Sequence, residues 1–414
     1  MRILLINHYA GSLRHGMEFR PYYFAREWVK AGNQVTIVAG SHSHLRTSQP
    51  ECDSAITEEF IDGIRYLWLS TPKYSGNGAR RAANIFSFVA QLWRYRRRIC
   101  QEAAPEVVIA SSTYPLDAVP AYYMARYCAA RFVHEVHDLW PLSPIELGGM
   151  SPVHPFILLM QWAENFAYRH ADRLVSMLSN AEPHMRAHGL ADGKFVYVPN
   201  GIDLESWRAG IAALSAEHQA VLERARNQRK FMVGYAGSHG VANAIEWIVR
   251  AASLLRDLPI TFILVGQGPE KDRLRQLAAE IAPDNVQFLP PIPKAAIPTL
   301  LAAMDVLLIS WQRTPLYQFG VSPNKVMDYM MAGRPIIQAI DDDKNVVSDS
   351  GCGFNVPAED PASIADAVKV LMLLSPEERS QMGERGRRYV QANHDYRYLA
   401  ENFLGAIVSA EIAG

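Results

Sequence analysis

The same alternation of short apolar runs and helical segments occurs twice along this chain, and it constrains the fold more than any other feature. Runs such as RILLIN at 2–7 and QVTIVAG at 34–40 alternate with longer segments of helical periodicity. A second round begins with FMVGYAGS at 231–238 and continues through ITFILVGQG at 260–268. Strands alternating with helices predict a parallel sheet with crossover helices. The sequence therefore predicts an α/β protein built from two Rossmann-like, doubly wound domains.

The length of the chain agrees with two domains, since 414 residues are too many for one ordinary core. The two rounds meet near Asn200-Gly201, which has the composition of a hinge. We predict domains at 1–204 and 205–385, and a C-terminal helix within 386–414 that packs back across the hinge. Ligands of doubly wound sheets bind outside the carboxyl ends of the strands, so we expect both sheets to face a central cleft.

Charge and cysteine usage exclude several classes of protein. The net charge of −1 argues against a nucleic-acid-binding protein. The four cysteines have neither the spacing of a disulfide framework nor that of a zinc site, so reduced thiols and no metal are expected. The N-terminal apolar run is too short for a signal peptide, and no run approaches the roughly 18 residues of a membrane span. We expect a cytoplasmic protein that is soluble or peripheral to the membrane.

The loop HYAGSLRHGMEF at 8–19 follows the first predicted strand. Gly11 and Gly16 allow a close approach of the backbone to a ligand, and the loop leads into a helix whose N-terminus favours an anion. A plain flexible loop is the alternative. The dinucleotide fingerprint G-x-G-x-x-G is absent here, which argues against a nicotinamide-dependent enzyme.

His137 and Asp138 follow a buried strand in VHDLWP at 136–141. A histidine in this position is often structural. The ligand-binding edge of a parallel sheet favours a functional role for His137 instead.

Two glycine-rich loops mark the second domain, VGYAGSHGVAN at 233–243 and LVGQGPEKDRL at 264–274. Gly237, Gly240, Gly266 and Gly268 each permit a tight turn, and any one of them alone indicates no more than that. Together they indicate a phosphate or a nucleotide lying against backbone amides.

The segment GVSPNKVMDYMMAGRPI at 320–336 predicts a helix that opens on a ligand. Pro323 suits the first turn, and the amides near Ser322, Asn324 and Lys325 lie at the positive end of the helix dipole. Lys325 adds a charge suited to a diphosphate. Asp328 lies one turn further on the same face, where a carboxylate binds adjacent ribose hydroxyls. A salt bridge between Asp328 and Lys325 is the alternative.

A formal D-x-D pattern occurs at Asp341 and Asp343. Such a pair binds a divalent metal in other enzymes that use sugar nucleotides. We interpret it here as an acidic loop after a strand rather than a metal site.

Together these segments resemble the retaining glycosyltransferases of family 4, which have the two-domain GT-B fold. The resemblance covers essentially the whole chain. Its most specific pieces are GMEFRPYYFAREWVKAGNQVTIV, EVHDLWP, VYVPNGID, GYAGSHG, ILVGQGPEKDRL, NVQFLPPIPKAAIPTLLAAMDVLLIS and SPNKVMDYMMAGRPII. The most similar subgroup is the bacterial surface-polysaccharide transferases that use UDP-N-acetylamino sugars, including N-acetylfucosamine.

The resemblance assigns roles to individual residues. Gly16 matches the family's glycine beside the donor diphosphate, and His137 matches its histidine near the donor sugar. Asp328 matches the second acidic residue of its E-x7-E motif, which binds the ribose. We therefore predict His137 and Lys325 as catalytic residues. The predicted donor-binding residues are Gly16, Gly237, Ser238, Gly266, Ser322, Asn324, Lys325 and Asp328.

The chain also departs from the family's pattern. The first acidic position of the E-x7-E motif falls on Gly320, and the family's Arg and Lys in the loop after the first strand of the second domain fall on Ser238 and Asn243. Lys325 is the nearest candidate to neutralise the diphosphate. Arg20 and Arg313 are possible helpers.

The resemblance implies transfer of a sugar, an N-acetylamino hexose or deoxyhexose, from a UDP-sugar with retention at the anomeric carbon. The implied acceptor is a glycan or a polyprenyl-diphosphate-linked glycan, and no metal or other cofactor is expected. The missing carboxylate and the missing Arg/Lys pair leave open a non-catalytic nucleotide-sugar-binding subunit. A UDP-sugar epimerase of the GT-B fold is also open, and it would release free UDP-sugars without an acceptor.

The segment RRAANIFSFVAQLWRYRRR at 80–98 combines six arginines with aromatic residues and contains no acidic residue. Such a helix suits the surface of an anionic bilayer. We predict that Arg94, Arg96, Arg97 and Arg98 face the inner surface of the cytoplasmic membrane. The alternative is a core helix whose arginines form its solvated face.

Overall fold

The computed structural model describes residues 1–17, 19–76, 78–209, 212–342 and 345–408. These residues form two compact units. The first comprises residues 1–199 and the chain from Tyr396 onward, and the second comprises Asn200–Asp395. The boundary between the two units, after Pro199, lies a few residues before the predicted domain boundary at 204. The second unit also extends beyond the predicted limit at 385, because residues 386–395 belong to it and not to a separate C-terminal segment.

The first unit is built on a sheet in which the described residues form eight strands. They are β1 (Arg2–Ile6), β2 (Gln34–Gly40), β3 (Ile56–Ile61), β4 (Ile64–Leu69), β5 (Val107–Ala110), β6 (Arg131–Val136), β7 (Arg173–Ser176) and β8 (Phe195–Tyr197). The helices up to this point are α1 (Arg20–Lys30), α2 (Ala79–Ala103), α3 (Ala118–Cys128), α4 (Leu142–Glu146), α5 (Pro155–His170) and α6 (Glu182–Ala187). The strand order is β3-β4-β2-β1-β5-β6-β7-β8, with β3 antiparallel to β4 and the other described pairs parallel.

Both faces of this sheet are covered. Ile3 and Leu5 of β1 belong to one buried apolar cluster, and Leu4 and Ile6 belong to a second cluster. Neighbouring residues of a strand point to opposite faces, so a strand that is buried on both faces is apolar throughout. This explains why the strands are visible in the sequence as unbroken apolar runs.

The alternation pattern misses the hairpin of β3 and β4. Asp62 and Gly63 connect these strands, and both have positive φ angles, 51° and 79°. An Asp-Gly pair with this backbone is a favoured two-residue hairpin turn. The sequence signal for this hairpin is therefore the Asp-Gly turn. A pattern of strands that alternate with helices does not reveal it.

The second unit contains a six-stranded sheet that is parallel at every described pair. Two helices precede it, α7 (Leu204–Ala209) and α8 (Ala216–Asn227). Its strands are β9 (Phe231–Ala236), β10 (Ile260–Val265), β11 (Val286–Leu289), β12 (Val306–Ser310), β13 (Ile336–Ala339) and β14 (Gly353–Val356), in the order β11-β10-β9-β12-β13-β14. The remaining helices are α9 (Ile245–Ser253), α10 (Lys271–Ile281), α11 (Ile297–Ala302), α12 (Asn324–Ala332), α13 (Val346–Ser350), α14 (Pro361–Leu373) and α15 (Pro376–Asn393).

Helix α12 ends where its sequence predicts and begins one residue later. Pro323, predicted in the first turn, is the N-cap, and the helix ends before Gly333, whose φ of 66° lies in the left-handed region that favours glycine. Val326, Met327 and Met330 are buried in the core of the second unit. This packing fixes the helix, and it leaves its first turn at the carboxyl edge of the sheet.

The chain returns to the first unit through α16 (Tyr396–Val408). The indole Nε1 of Trp28 donates to the carbonyl of Ala400 at 3.1 Å, and the rings of Tyr23 and Tyr396 stack with centroids 4.8 Å apart. The returning helix therefore packs on α1. Among the helices in the described part of the chain, none is long and apolar enough to cross a membrane.

Candidate active site

Polar side chains collect at the carboxyl ends of the strands in each unit. The first-unit cluster consists of Arg20, Ser111, Glu135 and His137. The second-unit cluster consists of Tyr235, Asn243, Lys325 and Asp328, together with the loops after β9 and β10.

Glu135 and His137 lie at the end of β6, and Ser111 follows β5 directly. Glu135 and His137 are two residues apart, so they emerge on the same face of the strand. The Ser111 hydroxyl lies 2.6 Å from Oε2 of Glu135 and 3.0 Å from Nε2 of His137. The same imidazole nitrogen lies 3.5 Å from that carboxylate oxygen. Ser111 and Glu135 therefore hold the His137 ring from one side.

Arg20 holds this cluster in place through buried hydrogen bonds. Its guanidinium donates to Oε1 of Glu135 at 2.9 Å and to the carbonyls of Pro199 at 2.7 Å and Val198 at 2.8 Å. Arg20 and Glu135 are each only 1% exposed. This placement does not favour the diphosphate role predicted for Arg20, because its donors are directed at protein acceptors in the interior. Arg20 instead positions Glu135.

The buried carboxyl of Glu135 stays ionised. Burial by itself raises its pKa, but the charge of Arg20 and the hydrogen bonds of His137 and Ser111 outweigh burial and lower it to about 2. A fixed anion therefore lies behind His137 at neutral pH. A glutamate near the carboxyl end of a buried parallel strand was the sequence signal for this arrangement, since such strands are usually apolar.

Gly16 is explained by the packing of its own loop. Its φ is 85°, and its amide donates to the carbonyl of Ser12 at 2.8 Å. A Cβ at Gly16 would press against the side chain of Thr47. The conformation requires glycine with or without a ligand, so the donor-binding role of Gly16 stays a prediction.

Lys325 projects from the first turn of α12 toward the loop after β9. Its ammonium donates to the amide oxygen of Asn243 at 2.5 Å and to the hydroxyl of Tyr235 at 3.1 Å. Within the described ranges no carboxylate forms an ion pair with it. Burial lowers the pKa of Lys325 to about 8. The charge is thus held in a partly desolvated position by neutral partners, which is a favourable arrangement for an incoming anion.

Asp328 makes no salt bridge with Lys325 in the described residues, so the alternative interpretation of this pair is wrong. Its half-buried carboxylate forms no hydrogen bond or salt bridge in the part of the chain that the structure describes, and Lys294 is the charged group that acts on it. Burial raises the pKa of Asp328 to about 6, against the opposing charge of Lys294. The carboxylate is therefore available to accept hydrogen bonds from hydroxyl groups.

The glycines of the loops after β9 and β10 let these loops pack on each other. A Cβ at Gly266 would overlap the carbonyl of Gly237, and one at Gly268 would overlap the backbone of His239. The His239 amide donates to the carbonyl of Gln267 at 2.9 Å, which joins the two loops. Gly237 also leaves room for the Lys325 ammonium.

The His239 side chain lies between these loops and was not predicted. It is fully buried, and neither ring nitrogen has a hydrogen-bond partner in the described residues. Burial, together with the charges of Lys271 and Lys325, lowers the pKa of His239 to about 4, so the imidazole is neutral. The tetrapeptide GSHG contained this residue, but nothing in the spacing indicated its burial.

Two family models match the chain and divide it as the structure does. The model described as "Glycosyl transferase 4-like domain" matches residues 15–201, and the model described as "Glycosyl transferases group 1" matches residues 230–373. The putative colanic acid biosynthesis glycosyl transferase WcaI of Escherichia coli K12 is 31% identical over 326 residues, which are 74% of this chain and 75% of that protein. The chain is a family 4 glycosyltransferase.

Other relatives agree with this assignment. The probable glycosyltransferase WbjE of Pseudomonas aeruginosa is 23% identical to this glycosyltransferase over 333 residues, 80% of each chain. Among solved structures, sucrose-phosphate synthase from Thermosynechococcus elongatus superimposes with a TM-score of 0.72 at 17% identity and 98% coverage of both chains. Anabaena HepE in complex with UDP and glucose gives a TM-score of 0.66 at 16% identity, with 99% of this chain and 100% of that chain covered. The fold is the two-domain GT-B fold.

The other predicted donor-binding residues of the glycosyltransferase lie around the start of α12. The hydroxyl of Ser322 accepts from the Asn200 amide at 2.8 Å, and the Ser322 carbonyl accepts from the Asn200 side chain at 2.5 Å. Asn324 is exposed as the first residue of α12. Ser238 is exposed in the loop after β9, where its carbonyl accepts from Tyr235 at 2.7 Å. The structure thus brings Gly237, Ser238 and Lys325 together.

Arg313 is engaged elsewhere in the second unit. Its Nε lies 2.7 Å from Oδ2 of Asp341, and its guanidinium also donates to the carbonyl of Ala358 at 2.7 Å. The other oxygen of Asp341 accepts from the Ala358 amide at 2.9 Å. These contacts agree with an acidic loop at Asp341. Asp343 lies outside the described residues, and the helper role of Arg313 stays a prediction.

The predicted membrane-facing arginines lie on α2 of the glycosyltransferase. Arg94, Arg97 and Arg98 are exposed, and the guanidinium of Arg96 covers the ring of Trp93 at 4.4 Å. Arg98 forms an ion pair with Glu102 at 2.8 Å, which removes part of the basic charge. Glu102 lies just beyond the segment that the sequence singled out.

Proposed function

We propose that this glycosyltransferase transfers a sugar from a UDP-sugar, with retention at the anomeric carbon, to a glycan or lipid-linked acceptor of a bacterial cell-surface polysaccharide. The observation that carries the proposal is the ammonium of Lys325. It lies partly buried beside Gly237 with only neutral partners, at the end of α12 where the helix dipole is positive. A site with this charge and shape fits a diphosphate.

The nucleotide is proposed to lie along the first turns of α12. Backbone amides at a helix N-terminus bind phosphate oxygens, and Lys325 supplies the full positive charge. Asp328, one turn further on, accepts hydrogen bonds from two adjacent ribose hydroxyls. The absence of a hydrogen bond or salt bridge to Asp328 within the described residues supports this role.

The relatives support the class of donor and the pathway. The structure of HepE contains UDP and glucose, and the name of WcaI places that protein in colanic acid biosynthesis. A UDP-sugar donor and a surface polysaccharide product are therefore the natural proposals for this chain. The absence of a carboxylate at Gly320 distinguishes its donor site, and we propose an N-acetylamino hexose or deoxyhexose as the transferred sugar.

The proposed chemistry depends on charge that develops on the leaving group. As the bond between the sugar and the diphosphate breaks, the diphosphate gains negative charge and the sugar becomes oxocarbenium-like. Lys325 and the helix amides stabilise that charge more strongly in the transition state than in the ground state. The leaving phosphate accepts the proton of the acceptor hydroxyl, so neither a separate base nor a metal ion is required. His137, held by Ser111 and Glu135, is proposed to orient the donor sugar.

Thermal unfolding with a panel of UDP-sugars tests the proposal. The true donor should raise the unfolding temperature more than UDP alone, because a ligand that binds only the folded state stabilises it. The best stabiliser is then incubated with acceptors and the anomeric configuration of the product is determined. If no UDP-sugar or UDP raises the unfolding temperature, the proposed donor class is wrong. Release of free isomerised UDP-sugar would favour an epimerase, and binding without turnover would favour a non-catalytic subunit.

We also propose that the first unit docks on an anionic membrane surface. Aromatic rings form a continuous row across α2, α3 and α5, from Trp93 through Tyr123, Tyr122 and Phe166 to Trp162, with neighbouring centroids 5.3 to 5.8 Å apart. Trp93, Tyr123 and Trp162 are 41%, 47% and 53% exposed. Exposed rings beside the arginines of α2 suit the boundary between lipid headgroups and acyl chains. Docking there would bring the enzyme to a lipid-linked acceptor.

A further inference from the structure

Three side chains of types that bind metals meet between α5 and α6, and one of them, Glu164, also lines a small cavity with Glu135 of the first-unit cluster. Glu164 lies on α5, His184 lies on α6, and His188 follows the end of α6. One potential ligand atom from each residue lies within 4.8 Å of those from the other two. The three residues are the Glu164 triad below.

We propose that the Glu164 triad binds a divalent transition-metal ion, with Zn²⁺ as the ion that fits it best. Nε2 of His184 lies 3.5 Å from Oε1 of Glu164. Two ligand atoms at zinc bond lengths in a tetrahedral site lie about 3.3–3.5 Å apart. The separation is therefore long for a hydrogen bond and suited to two ligands of a shared ion.

The carboxylate of Glu164 is prepared for a cation. Glu164 is 2% exposed, and the only ion pair that it forms in the described ranges is the contact with His184. The hydroxyl of Tyr168 donates to its Oε1 at 2.9 Å, and the amide of Gln161 donates to its Oε2 at 2.6 Å. A buried carboxylate requires a compensating positive charge. Hydrogen bonds from surrounding residues hold the carboxylate in place, as they do around metal ligands.

The two histidine rings lie close together at the C-terminal end of α6. His184 is on the helix and His188 is the residue that caps it, and their ring centroids are 4.3 Å apart. Nδ1 of His188 lies 2.9 Å from the carbonyl oxygen of His184. A carbonyl oxygen only accepts, so Nδ1 of His188 carries the proton and Nε2 keeps the lone pair for a metal. Metal-binding histidines are commonly oriented in this way.

Two imidazole nitrogens and one carboxylate oxygen form a donor set that Zn²⁺ accepts, with the fourth position open to water. The ion would tie α6 to α5. Removal of the ion is expected to lower the unfolding temperature. It should not change the rate of the proposed transfer reaction, which needs no metal. The spacing of the histidines is visible in the sequence, but Glu164 comes from the preceding helix and only the fold brings it to them.

The alternative is that the triad binds no metal and that a protonated His184 forms an ion pair with Glu164. Calorimetric titration of the untagged protein with Zn²⁺, after dialysis against EDTA, distinguishes the two. We expect one Zn²⁺ per chain, and an affinity at least tenfold weaker in both His184→Gln and His188→Gln. His170→Gln, which changes an exposed histidine of α5 outside the triad, should bind as the wild type does.

Two further readouts report on the same site. Co²⁺ bound to the wild type should give the visible absorption bands of a low-coordinate site, and these bands should be lost in His188→Gln. Zn²⁺ should raise the unfolding temperature of the wild type and of His170→Gln but not of His188→Gln. His188 is only half-buried, so His188→Gln should keep its circular dichroism spectrum, and a loss of Zn²⁺ binding in this variant can then be separated from a loss of folding. Absence of Zn²⁺ binding to the wild type, or unchanged binding in both histidine variants, would overturn the proposal.

Discussion

The ammonium of Lys325 donates to the side-chain oxygen of Asn243 at 2.5 Å. Asn243 occupies the position where the family resemblance places a lysine, in the loop after β9. In this chain the positive charge reaches the same place from the first turn of α12. The charge is thus supplied from a different element of the second unit, which explains how the proposed diphosphate site can lack the family's loop lysine.

Replacing Lys325 by alanine should weaken UDP binding far more than uridine binding. Its proposed partner is the diphosphate, which uridine lacks. A hydrogen bond to a charged group contributes about 1.5–3 kcal/mol, so we expect a loss of about 10- to 100-fold for UDP. Calorimetric titration measures both ligands, with Lys369→Ala on the exposed face of α14 as a control. Equal losses for UDP and uridine would assign Lys325 a different role.

UDP affinity should fall as the pH rises above about 8. Burial lowers the pKa of Lys325 to about 8, so the free ammonium loses its proton above this pH and no longer attracts the diphosphate. Linkage to one proton gives a decrease of at most about tenfold per pH unit. Lys325→Arg is the matched comparison, because a guanidinium stays charged up to a pH of about 12. A flat profile in the wild type between pH 7 and 10 would contradict the assigned charge.

His137→Ala should lower turnover by about 100-fold, the usual scale for one positioned polar group in a transition state. Donor binding should be largely kept, because the diphosphate and ribose contacts are proposed for the second unit. The comparison of kcat with the dissociation constant for UDP measures both effects, and His170→Ala is the control. Normal turnover in the variant would leave His137 with a structural role.

Much of the fold was predictable because strands buried on both faces are unbroken apolar runs. The run at 34–40 became β2 with the predicted limits, and α12 ends at Gly333 as predicted. The hairpin of β3 and β4 was missed because β3 is only partly buried and because the Asp-Gly turn does not belong to the alternation of strands and helices. The C-terminal part contains two helices, α15 and α16, and only the second returns to the first unit.

The candidate site likewise has parts that the sequence predicts and parts that it does not. The placement of Lys325 and Asp328 on α12 was predictable because one helical turn contains both, and their roles in binding a ligand stay predictions. The contacts among Arg20, Ser111 and Glu135 were not predictable, because they join residues that are far apart in sequence: Arg20 and Glu135 are separated by 115 positions, and Ser111 and Glu135 by 24. Arg20 is predicted as a possible helper at the diphosphate, whereas in the structure its buried guanidinium donates to Glu135.

Reversing the charge of the arginines on α2 should abolish binding to anionic vesicles. Each basic residue near such a surface contributes about 1 kcal/mol, so four reversals remove most of the attraction. Sedimentation with anionic vesicles at low salt measures binding, and UDP affinity should not change. The variant carries Glu at Arg94, Arg96, Arg97 and Arg98. The control reverses four exposed arginines of the second unit, Arg224, Arg226, Arg256 and Arg388. If the wild type does not sediment at low salt, the proposed docking surface is wrong.

The most direct test of the account is UDP binding by Asp328→Ala. Asp328 forms no hydrogen bond or salt bridge in the described residues, so its removal should leave the fold and the unfolding temperature nearly unchanged. If it binds the ribose, UDP and uridine should lose affinity together, by about 10- to 100-fold for hydrogen bonds to a charged group. Calorimetric titration at pH 7.5 measures this loss, with Asp366→Ala as the control. Wild-type UDP affinity in the folded Asp328→Ala variant would contradict a nucleotide site on α12.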